Sequence, residues 1–386
     1  MFLDYDNKKT EQEILALRGN GRLSLPLADI KEKNLFMFGD NFEIMQCLLL
    51  DLNFAGKIDM VYIDPPFATN NIFRVGQERT NTISSSYSDA EAYCDLLKGA
   101  EFLEFLRERI ILIRELMSEK ASIYLHIDYK IGHYVKVIMD EIFGEGNFRG
   151  DITRIKCNPK NFSRKGYGNI KDLILFYSKT DDFIWNEPKE SITENDVERL
   201  FKKIDDNGKR YTTIPLHAPG ETVNGATGQS WRGINPPPGR HWRSSPQILE
   251  QLDKDGLVEW SSNGVPRKKI YADECEAKGK KVQDIWEYKD PQYPTYPTEK
   301  NIDMIEFLIK ASSNPNDTIM DCFMGSGTTL VAANRLGRNW IGIDSSEEAI
   351  KIAENRLKKE EPGLFAGKPE YQKLKLETLM PSMTAK

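Results

Sequence analysis

Several features are scarce or missing in this 386-residue chain, and each closes off a class of function. The five cysteines are scattered and form no Cys-x-x-Cys pair. That argues against structural zinc, against any other metal site built on them, and against a disulfide framework. No apolar run approaches the roughly 18 residues of a membrane span, so no membrane partner is expected. Met1 to Asn20 are polar and charged, unlike a secretory signal. An intracellular, reduced, cytoplasmic protein is the expectation. No internal repeat is evident. The formal net charge is −6, so there is no overall basic excess to mark a nucleic-acid binder. The charge is uneven, however. Between Arg149 and Lys171, the cations Arg149, Arg154, Lys156, Lys160, Arg164, Lys165 and Lys171 are opposed by Asp151 alone. A local strip outweighs the total, because screening confines phosphate attraction to about 8–10 Å.

What the chain does have is alternation. Leu35 to Phe38 and Ile58 to Ile63 are short apolar runs, with helical spacing from Phe42 to Leu52 between them. Leu103 to Met117 carries an apolar helical face. Ala121 to Ile127 reads as a strand and Ile131 to Phe143 as a helix closed by Gly144. The same pattern returns near the other end. Ile302 to Ala311, Thr328 to Leu336 and Glu347 to Leu357 read as helices, with strands at Thr318 to Phe323 and Trp340 to Ile343. This β-α-β-α order predicts a doubly wound α/β fold, with a parallel sheet covered on both faces. Between about Arg149 and Pro297 the helical period fades and turn residues cluster. Ile152 to Cys157 and Leu173 to Ser178 read there as strands. The expected organisation is an N-terminal extension (1–30), one α/β half (31–148), an insert (149–290), a second α/β half (291–362) and a tail (363–386).

Asp40, Asp64, Asp321 and Asp344 end or follow predicted strands, where open α/β sheets bind ligands. Gly325-Ser326-Gly327 sits at a strand-to-helix turn. No P-loop lysine follows it, and position 330 is Leu330 where a dinucleotide fingerprint needs a third glycine. Alone, such a turn is more often structural. Asp344, at the end of the next strand, could accept bonds from a ribose diol. It could instead cap the helix at Glu347, a role open also to Ser345 or Ser346.

Two strings carry a family resemblance. Asp321-Cys322-Phe323-Met324-Gly325-Ser326-Gly327-Thr328-Thr329 resembles the glycine turn of S-adenosylmethionine-dependent methyltransferases, with Cys322 where that family has proline. Asp64-Pro65-Pro66-Phe67 resembles their amino-methylation string. With the catalytic string first and the cofactor string last, the chain resembles the circularly permuted β-class of DNA amino-methyltransferases, as found in type II and type III restriction-modification systems. The resemblance implies a Rossmann-like methyltransferase sheet interrupted by a target-recognition insert. It implies S-adenosylmethionine as cofactor, held by Asp40, Asn41, Thr298, Lys300, Asp321, Phe323, Gly325, Ser326, Gly327, Thr328 and Asp344. Tyr296-Pro297-Thr298-Glu299-Lys300 is similar to the family's His-Pro-Thr-Glu-Lys, near the cofactor's carboxylate, although Lys300 also reads as an exposed helix-start lysine. His126 and Asp128 resemble a frequent family string and read as structural.

The chemistry explains the catalytic string. An exocyclic amine is a poor nucleophile because its lone pair is delocalised into the ring. Asp64 and the Pro65 carbonyl can accept its N–H bonds, the rigid Pro65-Pro66 turn fixes that carbonyl, and Phe67 offers a flat face for a base flipped out of duplex DNA. Aspartate at the first position favours, by family analogy, adenine N6. Cytosine N4 is the alternative, and an RNA or a protein amide fits the motif order less well. For the double-stranded DNA partner, Arg154, Lys156, Lys160, Arg164 and Lys165 could grip phosphates. Trp231, Arg232, Arg240, Trp242 and Arg243 could read or wedge bases. Equally, both tryptophans could be core anchors. No nuclease or helicase motif is present, so a restriction endonuclease subunit would be a separate chain. A homodimer is left open.

Overall fold

The apolar runs become the strands of one large sheet, and the acids that follow them all emerge at its carboxyl edge. The computed structural model describes residues 2–25, 29–31, 33–66, 72–75, 80–81, 90–94, 99–159, 165–292, 294, 299–360 and 370–378. The sheet strands are β1 (Gly21–Leu23), β2 (Leu35–Phe38), β3 (Ile58–Ile63), β4 (Met117–Ile127), β5 (Phe148–Ile155), β6 (Lys171–Ser178), β7 (Ile285–Trp286), β8 (Thr318–Asp321), β9 (Asn339–Asp344) and β10 (Gln372–Thr378). Their order across the sheet is β1-β10-β2-β9-β8-β3-β4-β6-β5-β7. From β10 to β4 every neighbouring pair is parallel. β6 then runs antiparallel to both β4 and β5.

The helices that accompany this sheet are α1 (Glu11–Ala16), α2 (Asn41–Leu50), α3 (Gly99–Leu116), α4 (Gly132–Phe143), α5 (Ile302–Ser312), α6 (Thr328–Arg335) and α7 (Glu347–Lys359). Strand side chains alternate between faces. Ile123, Leu125 and Ile127 of β4 join one core with Ile44, Leu106, Ile110 and Ile138 from α2, α3 and α4. On the other face, the Tyr124 hydroxyl meets Ser312 Oγ of α5 at 2.7 Å. Helices therefore cover both faces, and the fold is the doubly wound α/β sheet read from the sequence. Among the described residues no helix is long and apolar enough to cross a membrane.

The chain divides into two compact units, one of residues 1–187 with 283–386 and one of Pro188–Val282. The second unit begins later than the 149–290 insert expected from the loss of helical period. The reason is that β5 and β6 pair with each other and with β4, extending the main sheet. Strands carry no helical period to read, so their place in the main sheet did not show. The second unit has its own antiparallel sheet, ordered Lys203–Ile204, Arg210–Pro215, Pro266–Tyr271 and Val258–Trp260. Its core is Leu216, Trp231, Trp242, Leu249 and Val258.

Candidate active site

The strand order β2-β9-β8-β3-β4 sets Asp40, Asp344, Asp321, Asp64 and Asp128 along one carboxyl edge. Like charges in a row are costly, so each must be tied down or partly neutralised.

Asp344, the last residue of β9, is bound to backbone. Its Oδ2 accepts the Gly325 N–H at 2.9 Å and its Oδ1 the Ser346 N–H at 2.8 Å. Burial nevertheless pushes its carboxyl up to about 6 against the pull of those amides. The cap of α7 is Ser346, whose hydroxyl accepts from Ala349 N–H, which leaves Asp344 free of that duty. Asp321 ends β8. Its Oδ2 accepts from Thr329 Oγ1 at 2.6 Å and its Oδ1 from Phe323 N–H at 3.0 Å. Burial lifts it to about 7 against those bonds, and the charges of Asp64 and Asp344 add to the rise.

The glycine turn lies between these two acids. Gly325 has φ 48° and Gly327 has φ 74°, in the left-handed region that side chains disfavour. A Cβ on Gly327 would lie 2.5 Å from that of Ala353, so glycine is what allows α7 to close on the turn. Arg356, also on α7, donates to Ser326 O at 3.1 Å, Ser326 Oγ at 2.8 Å and Thr328 Oγ1 at 3.0 Å. Ser326 and Thr328 are buried and Phe323 half-buried.

Asp40 caps α2, accepting from Phe42 N–H and Glu43 N–H at 2.9 and 3.1 Å. Arg109 Nη2 donates to its other oxygen at 3.0 Å. The same guanidinium donates to Asn41 Oδ1 at 2.6 Å and lies 3.5 Å over the Phe105 ring. Asn41 Nδ2 in turn donates to the Cys322 carbonyl at 2.8 Å, joining the start of α2 to the glycine turn. Half of the Asp40 side chain remains exposed. Arg109 and Arg356 were missed in the sequence. Arg109 carried a signal: it sits on the apolar stripe of α3 with Leu106, Leu112 and Ile113, and a cation there needs a partner.

Asp64 follows β3, and Lys300 Nζ donates to its Oδ2. The Asp64 Oδ1 is buried and has no hydrogen-bond partner among the described residues. Pro65 is buried and Pro66 half-buried. Phe67 and Thr298 lie outside the described residues. Lys300, expected near a cofactor carboxylate or exposed at a helix start, is buried and paired with Asp64.

Beside this pair the Tyr62 hydroxyl and His126 Nδ1 are 2.9 Å apart, and His126 Nε2 is 3.2 Å from Asp172 Oδ2. Burial lowers the His126 pKa, which favours the neutral ring. Although burial works the other way, His126 and Lys156 hold the Asp172 carboxyl well below the usual range. In the neutral ring an Nε2–H donates to the carboxylate, and Nδ1 is then the acceptor for the Tyr62 hydroxyl. This network supports the structural reading of His126. Asp128 Oδ1 accepts the Lys130 N–H at 2.9 Å.

The expected phosphate strip is corrected in part. Arg154 is fully buried; it pairs with Asp290, donates to Tyr288 O at 2.8 Å and stands 3.6 Å from Asp172. It cannot reach a phosphate from there. Lys156 Nζ is 2.6 Å from Asp172 Oδ1. Lys165 is exposed, and Lys160 and Arg164 lie outside the described residues. In the second unit, the expectation that Trp231 and Trp242 contact DNA gives way to their core role. They are 3% and 1% exposed, and their indole N–H groups donate to Glu250 and to Gln229 O. Arg232 is tied to Glu250 at 2.9 Å and Asp253 at 2.5 Å. Arg240 and Arg243 are exposed.

A family model described as DNA methylase matches residues 58–355. The chain is 38% identical to the Type II methyltransferase M.EcaI of Enterobacter cloacae over 366 residues, covering 92% of this chain and 77% of that protein. It is 26% identical to the StyLTI Mod subunit, a type III restriction-modification enzyme of Salmonella typhimurium, covering 78% of this chain and half of that subunit. Among solved structures, the M1.HpyAVI–SAM complex aligns with a TM-score of 0.44 at 19% identity, covering 83% of this chain and 99% of that one.

Proposed function

The chain belongs to the DNA methylase family, and from that premise we propose that it methylates adenine N6 in duplex DNA, with S-adenosylmethionine as donor. When bound, that cofactor supplies an electrophilic methyl group on a sulfonium. The residues present suit it. A polar and cationic ligand fits an edge lined by Asp40, Asp321 and Asp344, with the backbone of Phe323, Gly325, Ser326, Gly327 and Thr328 turning between two of them and Asn41 holding the turn to α2. The exposed half of Asp40 is the part free to meet an adenine amine.

The observation that carries the reading is the Asp64 Oδ1. A buried carboxylate oxygen without a donor is costly, and a substrate N–H would satisfy it. With the Pro65 carbonyl as second acceptor, each amine N–H bonds to one acceptor, which favours a pyramidal nitrogen and takes its lone pair out of conjugation with the ring. A methyl donor held there would give its methyl to the amine nitrogen, the sulfur keeping the electron pair of the broken S–C bond, and the extra amine proton would pass to solvent. Such chemistry depends on positioning and charge, with no covalent enzyme intermediate. The base must leave the helix to be reached, and Phe67 is assigned as the wall of its pocket. Phosphate contacts are assigned to Lys160, Arg164 and Lys165, and to Arg240 and Arg243, with Lys156 set aside because it is paired with Asp172. Restriction would need a separate endonuclease subunit, and both proteins would act in the cytoplasm of a prokaryotic or phage-infected cell.

Digestion of duplex DNA incubated with the protein and labelled cofactor, followed by mass spectrometry, tests this. N6-methyladenine is expected. N4-methylcytosine would move the target base within the same chemistry, and unmodified DNA with a methylated RNA or protein would overturn the assignment.

A further inference from the structure

We propose that Lys300 is a positioning residue for Asp64, holding one carboxylate oxygen so that the other is the one this carboxylate offers to the target amine. The inference rests on the reading of Asp64 as that acceptor.

Three observations point this way. Lys300 Nζ is bonded to Asp64 Oδ2, while Oδ1 of the same carboxylate is buried without a partner among the described residues. An aspartate carboxyl turns freely about its last bond, so it presents one defined oxygen only if the other is fixed. Both partners are nearly enclosed, with side-chain exposures of 9% and 16%, so the pair is weakly screened and keeps its geometry.

The third observation concerns the residue before it. Glu299 Oε1 lies 3.0 Å from Arg356 Nη2, and the other end of that guanidinium holds the carbonyl and hydroxyl of Ser326 and the hydroxyl of Thr328. Adjacent side chains thus tie one short segment to two places at once. Glu299 anchors it to the glycine turn, and Lys300 anchors it to the catalytic turn. The distance between the Asp64 carboxylate and the glycine turn is set through this bridge. In-line transfer needs that distance, because reacting atoms must meet at about 3–3.5 Å. Asn301 fixes the far side of the segment by capping α5, accepting from Met304 N–H at 3.1 Å.

The competing role for Lys300 is contact with the carboxylate of the cofactor's amino-acid end. The two roles differ in what Lys300→Met does to ligand binding. Calorimetry with S-adenosylhomocysteine and with 5′-methylthioadenosine, which lacks that carboxylate, is run on wild type and K300M. The affinity ratio of the two ligands is expected to be the same in both proteins, while single-turnover methyl transfer falls about 10²-fold in K300M. Lys300→Arg is expected to recover part of that loss. In an Asp64→Ala background, adding K300M should cost nothing further in rate. A ratio that collapses in K300M would assign Lys300 to the cofactor carboxylate and overturn the proposal. So would a full rate in K300M, or rate losses that multiply in the double variant.

Should K300M unfold, the D64N/K300M double variant removes both charges together. Its thermal midpoint is expected to lie above that of K300M, and the ligand ratio can be measured on it. A midpoint no higher than that of K300M would also count against the pair. The ligand ratio and the thermal comparison need no DNA, so they read the pair even if the methylation assay on wild type fails.

Discussion

Asp64 and Asp344 stand on the same edge of one sheet, and the chain treats them in opposite ways. Asp344 has each oxygen on a backbone amide, Gly325 N–H and Ser346 N–H. Asp64 has one oxygen on an ammonium and the other without a partner among the described residues. The first carboxylate is part of how a turn is folded, and any ligand it meets is added to bonds already made. The second is left half-satisfied by the fold. Buried acceptors are rarely left so, which makes the incomplete acid the better candidate for chemistry and the complete one for binding.

The comparison breaks most visibly in rate. Asp64→Ala should reduce methyl transfer by at least about 10²–10³-fold, in single-turnover assays on protein shown by circular dichroism to be folded. It should also lower stability by about 1–3 kcal/mol, because the buried Lys300 ammonium loses its Asp64 carboxylate. Activity within a few-fold of wild type would remove Asp64 from the reaction.

Next in size is a pH effect at Asp321, the acid between the two. Its carboxyl is lifted by burial to about 7 from an ordinary value near 3.8. The sign follows from proton counting. Between those two values the folded protein binds the proton more tightly than the unfolded chain, so ionising Asp321 subtracts stability as pH rises. The penalty is absent below about pH 4 and complete above about pH 7. Asp321→Asn cannot ionise. Its stability relative to wild type should therefore climb across that window, by on the order of 2–4 kcal/mol. Urea denaturation of both proteins at several pH values measures the gap, and a flat difference would show that the acid is not strained.

How far the molecule could be read from its sequence follows the same division between local and distant partners. The acids after apolar runs and the Gly325–Gly327 turn are local patterns, and the structure sets them on one edge as expected. Arg154 failed for a non-local reason. It lies directly across from Asp172 in the β5–β6 ladder, a register invisible without knowing that these strands pair. Asp172 is also the first residue beyond the basic strip as counted, so the strip looked free of acid. Trp231 and Trp242 could not be settled from composition, since a core anchor and a base wedge use the same residue. Only the packing of Trp231 against Trp242 and Trp260 decides it. Lys300 was legible as a cation near a helix start but not as the partner of an aspartate far away in the chain.

Asp344→Ala sharpens the comparison from the binding side. Calorimetry should show affinity for S-adenosylhomocysteine weakened by roughly 1.5–3 kcal/mol, the worth of charge-assisted hydrogen bonds. The bound fraction of enzyme should still turn over. That outcome separates Asp344 from Asp64, whose loss is expected in rate with affinity for the same ligand kept. Equal affinity in wild type and Asp344→Ala would leave the carboxylate only its role in the turn.

The smallest effect is expected where charge is exposed. Arg240 and Arg243 are the solvent-facing members of the second unit's aromatic-cation segment, whereas Arg232 is spent on Glu250 and Asp253. If exposed arginines meet phosphates, each releases about one counterion on binding. The slope of log affinity against log salt should then flatten by roughly one unit for each of Arg240→Ala and Arg243→Ala. Arg232→Ala should leave the slope unchanged and instead lower the unit's thermal stability, because Glu250 and Asp253 lose the cation between them. Fluorescence anisotropy with one duplex at several salt concentrations distinguishes these cases. A slope that moves with Arg232 and ignores Arg240 and Arg243 would place the phosphate contacts on a different face, and would mean that the ion pairs seen in the free protein exchange for DNA on binding.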